Sequence, residues 1–224
     1  MFKSLYTIKS DNLKFLHGGK RVQNYQKNIN EIKIPKLTII TAVLNGEKYL
    51  EETITSVLNQ SFRNFEYIII DGGSTDNTLN IIKKYNEKLD YWVSEKDKGI
   101  YDAFNKGMIL SRGDYIGIAN SDDIYVDDAF QILNRYIVKF PKKDFIFGAV
   151  KKHWGLLYGY KPWKIYFSWG FYSSHSTGFF IKRSSAKKVG LYNLKYKHSS
   201  DYDFFYRMIV KLKLDGIATK KKEQ

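Results

Sequence analysis

From Leu37 onward, near-continuous apolar runs alternate with segments whose apolar residues recur every three or four positions. LTIITAVL at 37–44 and YIII at 67–70 are strand-like, bounded by Asn, Gly and Asp. Between and after them the period changes to that of a helix. Leu50, Ile54, Val57 and Leu58 fall at i, i+4, i+7 and i+8, and Ile132, Leu133, Tyr136, Ile137 and Phe140 form a wider apolar stripe. Pro141 with Lys142 and Lys143 ends that second helix, and the short strand FIFGAV follows. Strand and helix in strict alternation predict an α/β fold, a mostly parallel sheet flanked by crossover helices in a single domain. Residues 1–36 are polar and rich in Asn and Lys, and are expected to extend outside the sheet.

The charge changes this picture, because it divides the chain. The total is +14. Residues 1–36 carry 8 basic and 2 acidic side chains, residues 37–138 carry 10 and 16, and residues 139–224 carry 19 and 5. The basic stretch 139–224 also holds nine aromatics between 153 and 172, too irregularly spaced for one helix or strand, which suit sugar stacking, a bilayer interface or a second small core. An acidic partner is therefore expected for it: anionic lipid headgroups, a diphosphate-bearing substrate or nucleic acid.

Other classes are excluded. There is no cysteine, so neither a disulfide framework nor a thiolate zinc site exists. His17, His153, His175 and His198 lack ligand-like spacing, so any metal must sit on oxygen. No apolar run approaches the roughly 18 residues a spanning helix needs, and the first residues lack a signal-peptide pattern, so a cytoplasmic location is expected.

Two segments carry chemistry. In YIIIDGGSTDNT a strand runs into Asp71, Gly72 and Gly73, placing a carboxylate at the carboxyl end of a strand, where open α/β sheets bind nucleotides. Ser74 or Thr75 is expected to cap the next helix, with Asp76 in its first turn. In GDYIGIANSDD a second strand runs into Asp122 and Asp123, an oxygen-only site suited to Mg²⁺ or Mn²⁺ completed by substrate phosphates.

The ordered set TAVLNGEKYLEETITSVLNQSF, IIIDGGSTDNT, DKGIYDAFNKG and GDYIGIANSDD resembles the family 2 glycosyltransferases of GT-A fold, the inverting class that builds bacterial polysaccharides, over about residues 37 to 210. The resemblance implies a nucleotide-diphosphate sugar donor, usually a UDP-sugar, a glycan or lipid-linked acceptor, and Mn²⁺ or Mg²⁺ as cofactor. It divides the chain into the extension 1–36, a nucleotide-sugar-binding half 37–138 and an acceptor-binding half 139–224. It places Thr41, Val43, Asn45 and Glu47 at the nucleotide pocket, Asp71 on the base with Gly72 and Gly73 beside it, and Asn105 in the donor site. Asn120, Ser121 and Asp122 fall on the metal motif, Asp122 being the ligand and Asp123 the second acidic residue, and His175 falls where members place acceptor-loop residues; Asp123 and Trp169 of the aromatic stretch are further acceptor candidates. Asp201 in SSDYDFFYR matches the catalytic base, and Asp203 reads as a first-turn helix acid paired with Arg207. Two departures stand out: Asn120 replaces the first metal-motif carboxylate, and Phe104 replaces an arginine that many members carry before Asn105, a contact Lys98 can take over.

A lipid-linked acceptor and the basic half together predict peripheral contact with the inner face of the cell membrane. Two alternatives compete. A sugar-phosphate nucleotidyltransferase would carry a Gly-rich, Arg-containing loop after the first strand, which TAVLNGEKYL lacks; a basic nucleic-acid-binding module leaves Asp71, Asp122 and Asp201 without a role.

Overall fold

The computed structural model describes residues 15–23, 36–153, 155–166 and 176–220. Its centre is an eight-stranded sheet. In chain order the strands are β1 (Leu16–Gly18), β2 (Leu37–Val43), β3 (Phe65–Asp71), β4 (Tyr91–Ser94), β5 (Tyr115–Asn120), β6 (Phe145–Phe147), β9 (Phe179–Lys182) and β10 (Gly216–Ala218). In space they run β1-β4-β3-β2-β5-β9-β6-β10, with β1 and β9 antiparallel to their neighbours and the others parallel. A separate hairpin pairs β7 (Val150–Lys152) with β8 (Gly155–Leu157).

The strands are apolar throughout because helices cover both faces. Ile39, Tyr67 and Ile69 point to one side, where α2 (Leu50–Leu58), α3 (Thr78–Lys84) and α5 (Ala129–Lys139) pack through Leu50, Ile54, Val57, Ile82, Leu133 and Ile137. Ile40, Ile68 and Ile118 point to the other, against Phe104 and Met108 of α4 (Ile100–Leu110), Ala186 of α6 (Arg183–Val189) and Phe204 of α7 (Ser200–Tyr206). The stripes predicted for α2 and α5 are thus core faces, each enclosed Leu or Ile contributing about 1.5–3 kcal/mol. Helix α4 lies close on β2 because Gly107 faces Ile40; any Cβ there would collide with the Ile40 side chain. Strands β6, β9 and β10 extend the sheet begun by β2–β5, so both charge regimes share one core.

Two expectations are corrected. Part of residues 1–36 belongs to the sheet: His17 pairs with Val93 across β1 and β4, and α1 (Lys20–Gln23) follows. Its anchor is Arg21, whose guanidinium reaches the buried Glu66, the carboxylate that also receives Thr38 Oγ1 and the N–H groups of Arg112 and Gly113. Helix α3 begins at Thr78, not after Ser74 or Thr75. Those two residues stay in a loop because Asn45 and Glu47 hold it: Asn45 Oδ1 accepts from Thr75 N (2.9 Å) and Glu47 Oε2 from Asn77 N (2.8 Å).

Of the aromatic stretch, Tyr160 packs edge-on against Phe145 at 5.2 Å and joins the main core, while Tyr158, Trp163 and Tyr166 are exposed. The described part of the stretch therefore builds no second core.

Candidate active site

The sheet fans open at the carboxyl ends of β2, β4 and β5, and the loops leaving those strands line a cleft of about 660 Å³. Parallel strands place such crevices where consecutive connections leave to opposite faces. Here β2 is that point, flanked by β3 on one side and β5 on the other.

Val43 and Leu44 form the wall at the end of β2, and Asn120, Ser121, Asp122 and Asp123 the lip at the end of β5. Asp123 is tied back: Asn120 Nδ2 donates to its Oδ2 at 2.7 Å, and Thr177 Oγ1 donates to the same oxygen. Asn120 Nδ2 also reaches Ser176 Oγ at 3.0 Å. An aspartate at position 120 would present a second acceptor to Asp123 and repel it, so the asparagine converts an acidic pair into a hydrogen-bonded latch. Asp122 is exposed between these groups. Among the described residues no group of three or more His, Cys, Asp or Glu side chains is placed to hold a metal ion. The oxygen donors at the lip therefore fit a hard cation only as a shared site, with Asp122 supplying one ligand and a diphosphate and water the rest.

Asp201, in the first turn of α7, lines the same cleft. Its Oδ1 accepts from Tyr101 Oη at 3.1 Å and from Tyr202 N at 2.9 Å. Tyr101 stacks on Tyr192 (5.6 Å between centroids, 24°), and Tyr192 stacks on Phe204 of the helix that carries Asp201 (4.6 Å, 20°). Tyr192 is enclosed, and burial pushes its phenol well above the usual range. Asp203 points away from the cleft into a pair with Arg207 (2.9 Å), as its spacing predicts.

Several residues assigned to the donor site face elsewhere. Thr41 is enclosed, its hydroxyl 2.9 Å from Tyr67 Oη. Asn45, with a positive φ that asparagine tolerates, and Glu47 shape the 72–78 loop rather than the cleft. The Asn105 amide is spent on the backbone of Tyr192, donating to its carbonyl (2.9 Å) and accepting from its N–H (2.8 Å). Asp71 is fully enclosed and accepts from Ser74 N, Ser74 Oγ and Ser94 Oγ. Phe104 belongs to the core and also lines the cleft, where it offers a ring in place of a charge. Trp169 and His175 lie outside the described residues.

Conversely, the sequence reading passed over Asp97 and Tyr101, which both line the cleft. Their signal lay in DKGIYDAFNKG: a carboxylate and a phenol either side of Gly99, at the entrance to a helix. Gly99 at φ 108° lets the chain turn there, and its N–H donates to Asp97 Oδ1 at 2.8 Å. Burial raises the Asp97 carboxyl above the ordinary carboxylate range.

Among known proteins, the family described as Glycosyl transferase family 2 matches residues 38–210. An uncharacterized glycosyltransferase of Rickettsia typhi is 28% identical over 188 residues, covering 78% of this chain and 59% of that protein. The structure of S. aureus TarS in complex with UDP-GlcNAc superposes with a TM-score of 0.70 at 20% identity, over 83% of this chain and 56% of that one. The mannosyltransferase PcManGT of Pyrobaculum calidifontis, in complex with GDP-Man and Mn²⁺, gives 0.64 at 18% identity, over 85% and 56%. The chain thus spans a little under three fifths of the length of these relatives.

Proposed function

Since the chain belongs to glycosyl transferase family 2, we propose that it moves a sugar from a UDP-sugar to a hydroxyl of a glycan or lipid-linked acceptor, with inversion at the anomeric carbon. The observation that carries this reading is a pair of carboxylates lining one cleft: Asp122, exposed at the end of β5, and Asp201, which accepts a hydrogen bond from Tyr101.

Each carboxylate has a separate task. In this reading the nucleotide lies over the ends of β2, β3 and β4 with its diphosphate at the β5 lip, where Asp122 would supply a ligand to Mn²⁺ or Mg²⁺. The cation, when bound, neutralises the charge that develops on the departing diphosphate. Asp201 takes the proton from the acceptor hydroxyl while that oxygen bonds to the anomeric carbon. The bond from that carbon to the diphosphate breaks with its electron pair, giving a nucleoside diphosphate. Attack and departure on opposite faces invert the centre, so no covalent enzyme intermediate is needed.

Support for a lipid-linked acceptor comes from a second, mostly apolar hollow of about 310 Å³ that opens from Asp122 and Asp123 and is lined by Ile124, Val126, Leu133 and Phe180. The basic residues of 139–224 suit an anionic bilayer; among the described residues no helix is long and apolar enough to cross one.

A thermal-shift screen of UDP, dTDP and GDP, with Mn²⁺ and with EDTA, tests the donor assignment. UDP with Mn²⁺ is expected to raise the Tm most, and Asp122→Asn to remove the metal-dependent part of the shift. Equal shifts with Mn²⁺ and EDTA would refute the metal-assisted site; no shift with any nucleotide would refute the donor.

A further inference from the structure

We propose that Asp97 reads the nucleobase of the donor, selecting a uracil-type ring through its imide N–H. The proposal rests on the donor reading above and names the residue that gives it base selectivity.

Three observations converge on this carboxylate. Asp71 is withdrawn from the cleft: it is fully enclosed and turned to its own loop, with contacts of 3.3 and 3.2 Å from Ser74 N and hydrogen bonds of 2.5 Å from each of the Ser74 and Ser94 hydroxyls. Gly72, next along the chain, has no side chain, and the space one would fill is taken. A Cβ at position 72 would lie 2.7 Å from Asp97 Oδ2 and 3.0 Å from its Cγ. Asp97 therefore projects its carboxylate over the end of β3, at the wall of the cleft and half-buried. Finally, Gly99 N–H holds Oδ1 at 2.8 Å, which orients the group and leaves Oδ2, the oxygen nearest the empty Gly72 position, to accept from a ligand.

A carboxylate accepts hydrogen bonds and donates none while ionised. Uracil and thymine present one N–H between two carbonyls, which one oxygen satisfies. Cytosine and adenine present a ring nitrogen with a lone pair at the corresponding position, and an ionised carboxylate repels it. Guanine offers two adjacent N–H donors that are best matched by both oxygens of a carboxylate set side by side, and the Gly99 N–H already occupies one acceptor site of Oδ1 and weakens that match. The arrangement thus favours uridine and thymidine nucleotides over the other three. A site built around a specific hydrogen bond discriminates strongly, because the wrong ligand leaves its buried polar group unpaired.

The test is equilibrium binding of UDP, dTDP, CDP, GDP and ADP, each with Mn²⁺, to the wild-type protein and to Asp97→Asn. The asparagine keeps an oxygen for Gly99 N–H and turns an N–H toward the base, so it can donate to the cytosine ring nitrogen. The wild-type protein is expected to favour UDP and dTDP, and Asp97→Asn to narrow the UDP-to-CDP affinity ratio by about tenfold or more. Gly72→Ala is a second route, since its methyl displaces the carboxylate without altering its chemistry; it should narrow the ratio in the same direction. An unchanged ratio in both variants overturns the proposal. So does a uniform loss for all five nucleotides, or a wild-type preference for GDP. A wild-type protein that binds none of the five overturns the donor reading itself, and this inference falls with it.

Discussion

Replacing Tyr101 with phenylalanine isolates one hydrogen bond in the proposed chemistry. The ring is held by its stack on Tyr192, which in turn is clamped by Asn105 and stacked on Phe204, so Tyr101→Phe keeps the packing and removes only the hydroxyl. What disappears is the 3.1 Å bond to Asp201 Oδ1; the 2.9 Å bond from Tyr202 N remains. A hydrogen bond to a charged group is worth about 1.5–3 kcal/mol. At 3.1 Å this one is slightly long for O–H···O, which places it near the lower bound, at about 1–1.5 kcal/mol. Since about 1.4 kcal/mol is tenfold in rate, turnover should fall roughly 5- to 15-fold. UDP affinity should stay within about twofold, because the hydroxyl acts on the base and not on the nucleotide. The decisive arm is a double-mutant cycle measured by initial rates with saturating donor. In an Asp201→Asn background the base is already gone, and adding Tyr101→Phe should cost less than about twofold. Multiplicative losses in the double variant, or a donor affinity that falls with the rate, would show that Tyr101 does not act through Asp201.

Other expectations follow from the same geometry. Asp201→Asn should cut turnover by roughly 10²- to 10⁴-fold with donor binding intact. Asp203→Asn, which loses only the Arg207 pair, should retain activity at a cost of about 0.3–1 kcal/mol in denaturant stability; the opposite pattern would mean that Asp203 is the base. Glu66→Ala strands Arg21, Thr38 Oγ1 and two backbone N–H groups, and should destabilise the protein by about 3–5 kcal/mol in a urea titration. A loss below about 1 kcal/mol would mean that water replaces that hub. In flotation, anionic vesicles should retain the protein and neutral ones should not, with retention lost at high salt; equal, salt-insensitive binding to both refutes the electrostatic contact.

The parts of this fold readable in the sequence are those where packing and period coincide. Leu50, Ile54 and Val57 had to face a core, and Leu37–Val43 had to be covered on both sides, because no other arrangement hides so many adjacent apolar residues. Strand β1 was not readable. It has three residues, two of them exposed, and it exists because Leu16–Gly18 pairs with β4 while Arg21 finds Glu66, partners far away in sequence. The start of α3 was misplaced for a similar reason, as Asn45 and Glu47 hold the preceding loop from another strand end. The motifs around Asp122 and Asp201 drew attention to two residues that line the cleft, whereas the place of Asp97 over the empty position at Gly72 is visible only in three dimensions.

The way residues 15–23 are attached sets the order in which this protein loosens. Among the described residues strand β1 meets one neighbour, over three residues, and α1 holds on through Lys20 N and Arg21 N to the carbonyls of Leu89 and Asp90, with Arg21 reaching the buried Glu66. Strand β2, by contrast, pairs with β3 along its whole length and with β5 over Leu37–Ala42. Amide hydrogen exchange should therefore resolve two cooperative units, with the 15–23 strap opening well below the free energy needed to unfold β2, β3 and β5. Each opening bares the outer edge of β4, the strand whose end leads into the Asp97 loop, so the strap works as a removable selvedge that guards a sheet edge against pairing with other chains.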